Sequence, residues 1–285
     1  MQLRRLFLIL LECLTAILFL LYFAPFYIVV VNGFKSRFEV LTDVLGLPHD
    51  WNQVVINFNS IINNPNLRFL SSTVSSVIIT VGSLTVIALF SAMAAWVLVR
   101  TKTRVSRWLF MLYVAAMVIP FQVVMLPLVS WMRIIHEVTG IPMLRTYHGL
   151  IFAYLGFGCS LSIFLYHGFI KGIPLELEQA AVVDGCSRAG VFFRIIFPIL
   201  KPITVTVLVL NGIWIWNDFL LPLLMLGTGN RIQTIPLAIN GFVGSFVKQW
   251  ELIMLALLLA ILPVVVLYLF AQKYIIKGMV EGSIK

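Results

Sequence analysis

Six runs of apolar residues alternate along the chain with shorter polar segments, and each run is long enough to cross about 30 Å of hydrocarbon. They cover about 6–31, 69–99, 108–131, 148–170, 203–226 and 250–271. The pattern predicts an all-α integral membrane fold of six transmembrane helices. The first run exceeds the apolar region of a signal peptide and lacks a small-residue cleavage site, so it reads as a retained helix.

Basic residues give these helices a direction. With both termini placed in the cytoplasm, thirteen of the 20 Lys and Arg residues fall on the inner side and seven on the outer. Arg100, Lys102, Arg104 and Arg107 form the densest inner cluster. Residues 32–68 then form an extracytoplasmic loop, too short for a domain of its own, that predicts small helices and turns. Asn63-Asn64-Pro65-Asn66 reads as a turn before the second run.

Composition narrows the class. The 285 residues are 61% hydrophobic and 11% charged, against about a quarter charged in a soluble domain. The net charge of +9 is spread between apolar runs, so nucleic-acid binding is excluded. Cys13, Cys159 and Cys186 are scattered, which argues against a disulfide framework or a metal site. No GxxxxGK[ST] phosphate loop occurs, and the residues suggest neither a catalytic site nor a cofactor held by this chain.

The segment 171–202 between the fourth and fifth runs is the most informative. Pro174 suits the first position of a helix, with Glu176 and Glu178 in its first turn, where negative charge complements the dipole. Gly185 can end that helix in the left-handed conformation, and Ser187 can cap a second. The product is a helix–turn–helix elbow. Its physics alone fits equally docking of a partner and lying in the membrane interface.

Gln179-Ala180-Ala181, three residues, Gly185, nine residues, then Ile195 and Phe197-Pro198 resemble the "EAA" loop of ABC importer permeases. Gln179 stands where that pattern has Glu, and Phe197 where it has Leu. Glu178 lies one residue earlier, about 100° around the helix. The segments WNDFLLPLLML at 216–226, RIQTIPLAI at 231–239 and KGMVEGSIK at 277–285 are similar to carbohydrate permeases of the maltose-system type. The resemblance implies a type I importer permease fold in one domain, 1–285, with a core at about 69–271, in the cell membrane of a prokaryote. It also implies that the elbow couples to an ATPase through Glu178, Gln179, Ala180, Ala181, Asp184, Gly185, Ile195 and Pro198. A cytoplasmic tail, 272–285, with Lys277, Gly278 and Gly282, would reach the same subunits. The implied partners are a second permease in a heterodimer, two ATP-binding cassette subunits that bind ATP and Mg, and a solute-binding protein that delivers sugar.

Polar groups inside apolar runs are costly and mark candidate pathway positions. Asn211, Asn217 and Asp218, with the aromatic faces of Trp214 and Trp216, lie in the fifth run, and Gln122 in the third. Asp218 fits a polar cavity, a partner helix or the end of a broken helix. A secondary carrier or a channel is the rival reading, but neither needs the 171–202 elbow, and no repeated selectivity-filter loop is present.

Overall fold

The computed structural model describes residues 2–64, 68–242 and 248–283, with side chains except those of residues 2–4, 6, 267, 270, 271 and 273–283. The described chain is helical: α1 (Gln2–Gly33), α2 (Arg37–Thr42), α3 (Gln53–Ile62), α4 (Phe69–Arg100), α5 (Arg104–Ala116), α6 (Phe121–Thr139) and α7 (Tyr147–Ile170). Then come α8 (Glu176–Val183), α9 (Arg188–Val191), a π-helical turn (Phe192–Ile196), α10 (Phe197–Ile199), α11 (Lys201–Asn217), α12 (Leu220–Leu226), α13 (Ile235–Asn240) and α14 (Trp250–Ser283). The chain divides into two compact units, one of residues 1–70 and 238–263, the other of 71–237 and 264–285.

Six spans were expected. Among the described residues, four helices are long and apolar enough to cross a membrane: Phe7–Gly33, Phe69–Arg100, Phe121–Thr139 and Tyr147–Ile170. The pair Arg188–Ile199 and Lys201–Asn217, bent by 75°, makes a fifth if counted as one. The third apolar run is not one helix from 108 to 131. Pro120 stops it, since proline disfavours helix in the residue before it, and α5 and α6 are separate pieces of 13 and 19 residues. The fifth run is likewise interrupted at Asp218, between α11 and α12. In the last run the apolar described stretch is Trp250–Val266, below spanning length.

In the first unit, α1 carries exposed apolar side chains along most of its length, as a lipid-facing helix does. Its end is tied into the 32–68 segment, which holds two short helices. Asn32 Nδ2 donates to the Val44 carbonyl at 2.9 Å, and Asn57 Nδ2 to the Lys35 carbonyl at 3.0 Å. The buried Lys35 ammonium donates to the Asp43 carbonyl. Ser36 and Glu39 form a reciprocal capping box at the start of α2. The proposed turn at 63–66 falls partly outside the described residues.

The second unit is built on α4 and α7. Ser72, Ser75, Ser76, Ser83 and Ser91 recur along one buried stripe of α4, and small side chains there allow close helix approach. Ser75 Oγ lies 2.9 Å from Tyr147 OH, and Ser91 Oγ donates to Cys159 Sγ. α11 packs on α7 through a buried bond from Asn211 Nδ2 to Ser162 Oγ, 3.1 Å, and one from Tyr166 OH to Thr204 Oγ1, 3.0 Å.

Candidate functional site

The elbow forms as the sequence suggests, with one shift. α8 begins at Glu176, with Leu175 as its N-cap, so Pro174 precedes the helix instead of opening it. Gly185 follows α8 at φ +83°, the left-handed geometry that ends a helix cheaply only with glycine. Ser187 caps α9, its Oγ accepting from the Gly190 N–H at 3.2 Å. The chain then widens into the π-helical turn, a feature with no sequence signal, and bends through 75° into α11.

This geometry gives the elbow two faces. Glu178, Ala181, Val191, Phe192 and Ile196 point into the unit. Gln179, Ala180, Asp184, Gly185 and Pro198 are exposed, together with Val182 and Val183, while Ile195 is half-buried against the core. The coupling residues named from sequence are thus split between an outer surface and an inner seat. Glu178 belongs to the seat. Arg100 Nε donates to its Oε1 at 2.7 Å and Trp96 Nε1 to its Oε2 at 3.0 Å. Arg100 Nη2 reaches on to the Ile173 carbonyl at 3.0 Å, so one side chain at the end of α4 holds both the elbow and the strand of chain leading to it. The one available sequence signal for this seat was the placement of Trp96 and Arg100 one turn apart on α4.

The residues proposed for the pathway do not form one cluster. Asp218 sits at the break between α11 and α12. Its Oδ2 accepts from the buried Tyr154 hydroxyl at 3.0 Å, and its Oδ1 accepts at 3.0 Å from the N–H of Leu220, the first residue of α12. Asp218 thus lies at the end of one helix and is bonded to a neighbouring one, α7. Trp214 meets Tyr154 and Phe157 edge to face. Trp216 is buried, and Asn217 is exposed with its Nδ2 bonded to the Ile213 carbonyl. Asn211 and Trp214 line an apolar groove of about 860 Å³ bounded by the α5–α6 break, α6, α7 and α11. Gln122 is exposed on α6 but does not line it. The side chains of Lys277, Gly278 and Gly282 lie outside the described residues.

The sequence profile described as "Binding-protein-dependent transport system inner membrane component" matches residues 84–281. The chain belongs to that family. It is a multi-pass transmembrane permease subunit of an ABC-type importer, and the family is not catalytic. The permease is 44% identical over 277 residues to the "Probable starch degradation products transport system permease protein AmyC" of Thermoanaerobacterium thermosulfurigenes, covering 97% of this chain and 96% of that one. It is 34% identical over 273 residues to the "Melibiose/raffinose/stachyose import permease protein MelC" of Bacillus subtilis (strain 168), with 95% of each covered. Among solved structures it is similar to a chain of "a bacterial ABC transporter involved in the import of the acidic polysaccharide alginate", at a TM-score of 0.78 and 20% identity over 95% of this chain and 96% of that one. That likeness establishes the fold. Among the described residues no group of three or more His, Cys, Asp or Glu side chains is placed to hold a metal ion.

Proposed function

We propose that the permease carries a carbohydrate, delivered by a solute-binding protein and driven by two ATP-binding cassette subunits that hold ATP and Mg. The names of its relatives support an oligosaccharide cargo, since AmyC is described for starch degradation products and MelC for melibiose, raffinose and stachyose. A second permease completes the pathway in a heterodimer, and the 860 Å³ groove beside Asn211 and Trp214 contributes this chain's half of it. The chain makes six crossings of type I arrangement, with α5–α6 and α11–α12 each serving as one broken crossing and both termini in the cytoplasm. Thirteen of its 20 basic residues then lie inside.

The observation that carries this reading is the two-faced elbow. Gln179, Ala180, Asp184 and Gly185 offer a small, exposed surface for the ATPase, while Glu178 and Ala181 fix it to the permease. The tail 272–285 supplies a second contact through Lys277, Gly278 and Gly282. The test is reconstitution with the partner permease, ATPase and binding protein in vesicles, measuring uptake of labelled malto- and galacto-oligosaccharides with and without ATP. ATP-dependent uptake is expected. Uptake by this chain alone, or none for any saccharide bound by the binding protein, refutes it.

A further inference from the structure

At the same end of the second unit as the elbow, the end of α4, the start of α5 and the end of α7 enclose another concavity, of about 340 Å³. Lys102, Arg107 and Lys171 line it above an apolar floor of Leu98, Val99 and Phe110. None of the three cations forms an ion pair among the described residues, where the carboxylate ion pairs are Glu39–His49 and Glu178–Arg100. His167 also lines the cavity. It is only 8% exposed, its ring lies 3.7 Å from that of Phe110, and it makes no side-chain hydrogen bond among the described residues.

A run of solvated charge accounts for three exposed cations, but not for this combination. The His167 ring is largely covered, while its nitrogens, without a hydrogen bond among the described residues, stay open to the cavity and available to a ligand. The three positive groups that line the same cavity set the sign of such a ligand. The hydroxyl of Ser106 does not compete, because it is committed to the Leu98 carbonyl at 2.6 Å. The apolar floor continues onto the exposed ring of Phe164, stacked on Phe110. A free phosphate or a sugar phosphate would satisfy the cations and leave this wall unused. An amphiphile satisfies both.

We propose that this cavity binds the phosphate headgroup of an anionic phospholipid, with Lys102, Arg107 and Lys171 as its counter-ions, His167 as a hydrogen-bond partner and an acyl chain against Phe110. Basic pockets between transmembrane helices on the cytoplasmic side hold such headgroups, and the inference rests on the inward orientation of this end proposed above. Arg100, which the elbow needs, ends the same helix that forms one wall of the cavity. The bound headgroup thus braces the seat of the elbow.

The experiment is native mass spectrometry of the full-length permease, purified in its complex and titrated with phosphatidylglycerol. Wild type is compared with Lys102→Ala/Lys171→Ala and with Lys102→Arg/Lys171→Arg. Each lost charge should weaken binding about fivefold, so about 25-fold for the double alanine variant. The arginine variant should retain it, phosphatidylcholine should bind far more weakly, and millimolar inorganic phosphate should not displace the lipid. Equal affinity of wild type and the alanine variant overturns the proposal, as does displacement by phosphate, which would make it a free-anion site. The readout needs neither sugar nor ATP, so a failure of the sugar-import reading would not be mistaken for a failure here.

Discussion

Glu178 and Arg100 join the elbow to the end of α4 by a bond of 2.7 Å, and Trp96 takes the other carboxylate oxygen. Removing one member of a paired, largely enclosed couple leaves the other charge poorly solvated. Glu178→Gln or Arg100→Met should cost about 1–3 kcal/mol of local stability, below the cost at a fully buried pair because Arg100 retains some water. The elbow then moves independently of α4. ATPase activity stimulated by the binding protein should persist while uptake falls severalfold, and the exchange Glu178→Arg/Arg100→Glu should restore part of it. Trp96→Phe removes one hydrogen bond and should be milder. Unchanged uptake per ATP in both single variants would show that the pair is not a link in coupling.

Gly185 makes a separate prediction. Its φ of +83° costs an L-residue about 1–2 kcal/mol, and among the described residues a Cβ there would meet nothing within 4 Å. Any further loss is expected to come from the surface of a partner. Gly185→Val should abolish coupled uptake, while Gly185→Asn, whose side chain tolerates the left-handed region, separates the two causes. An uncoupled Asn variant identifies close approach of the ATPase. A normal Asn variant reduces the role of Gly185 to the turn.

Hydropathy made much of this architecture legible, since α1, α4 and α7 coincide with apolar runs to within a few residues. It failed where a run was broken from within. Pro120 and Asp218 each stop a helix without bringing the average hydropathy around them down to that of a loop, so a window sees one span where the backbone makes two helices. The elbow was legible because Gly185 and Ser187 act locally, through φ and a cap. Its inner seat was not. Glu178 finds Arg100 seventy-eight positions away, and nothing in the local spacing specifies that partner. Tyr154 was missed for the same reason, its bond to Asp218 being set by how α7 lies against the break.

The packing of α7 predicts a contrast between two glycines on the same helix. A Cβ on Gly158 would lie 2.9 Å from Asn211 Oδ1 and 3.1 Å from Ile87 Cγ1, whereas among the described residues one on Gly156 meets nothing within 4 Å. Gly158→Ala overpacks a contact that includes the buried Asn211–Ser162 bond and should cost about 1–3 kcal/mol. Gly156→Ala should be neutral or slightly stabilising, because alanine is the better helix former. Melting temperatures of the two variants in detergent decide it, and equal values would mean that α7 does not hold α4 and α11 this closely.

The tail carries the proposal that is least dependent on the core. Truncation of residues 277–285 removes Lys277, Gly278 and Gly282 and leaves Trp96, Arg100 and Glu178 in the sequence. Uptake should fall while the permease still assembles with its partner, as judged by co-purification. Full uptake after truncation would confine coupling to the elbow.

The 32–68 segment provides the last prediction, through acid. The Ser36 N–H, then the His49 N–H and the Ser36 hydroxyl, stabilise the ionised Glu39 carboxylate and lower its pKa from 4.5 to about 2. A depressed carboxyl contributes stability that is complete above its unfolded pKa and is lost as pH falls through the folded one. The contribution is therefore whole above about pH 4.5 and disappears toward pH 2. Glu39→Gln keeps the shape and removes the charge. Hydrogen exchange of the amides of residues 36–49, corrected for intrinsic rate, should show greater protection in wild type than in the variant at neutral pH. The gap should hold down to about pH 4.5 and close below it. A gap that has already closed at pH 5 would show that the ionised Glu39 carboxylate does not hold this segment.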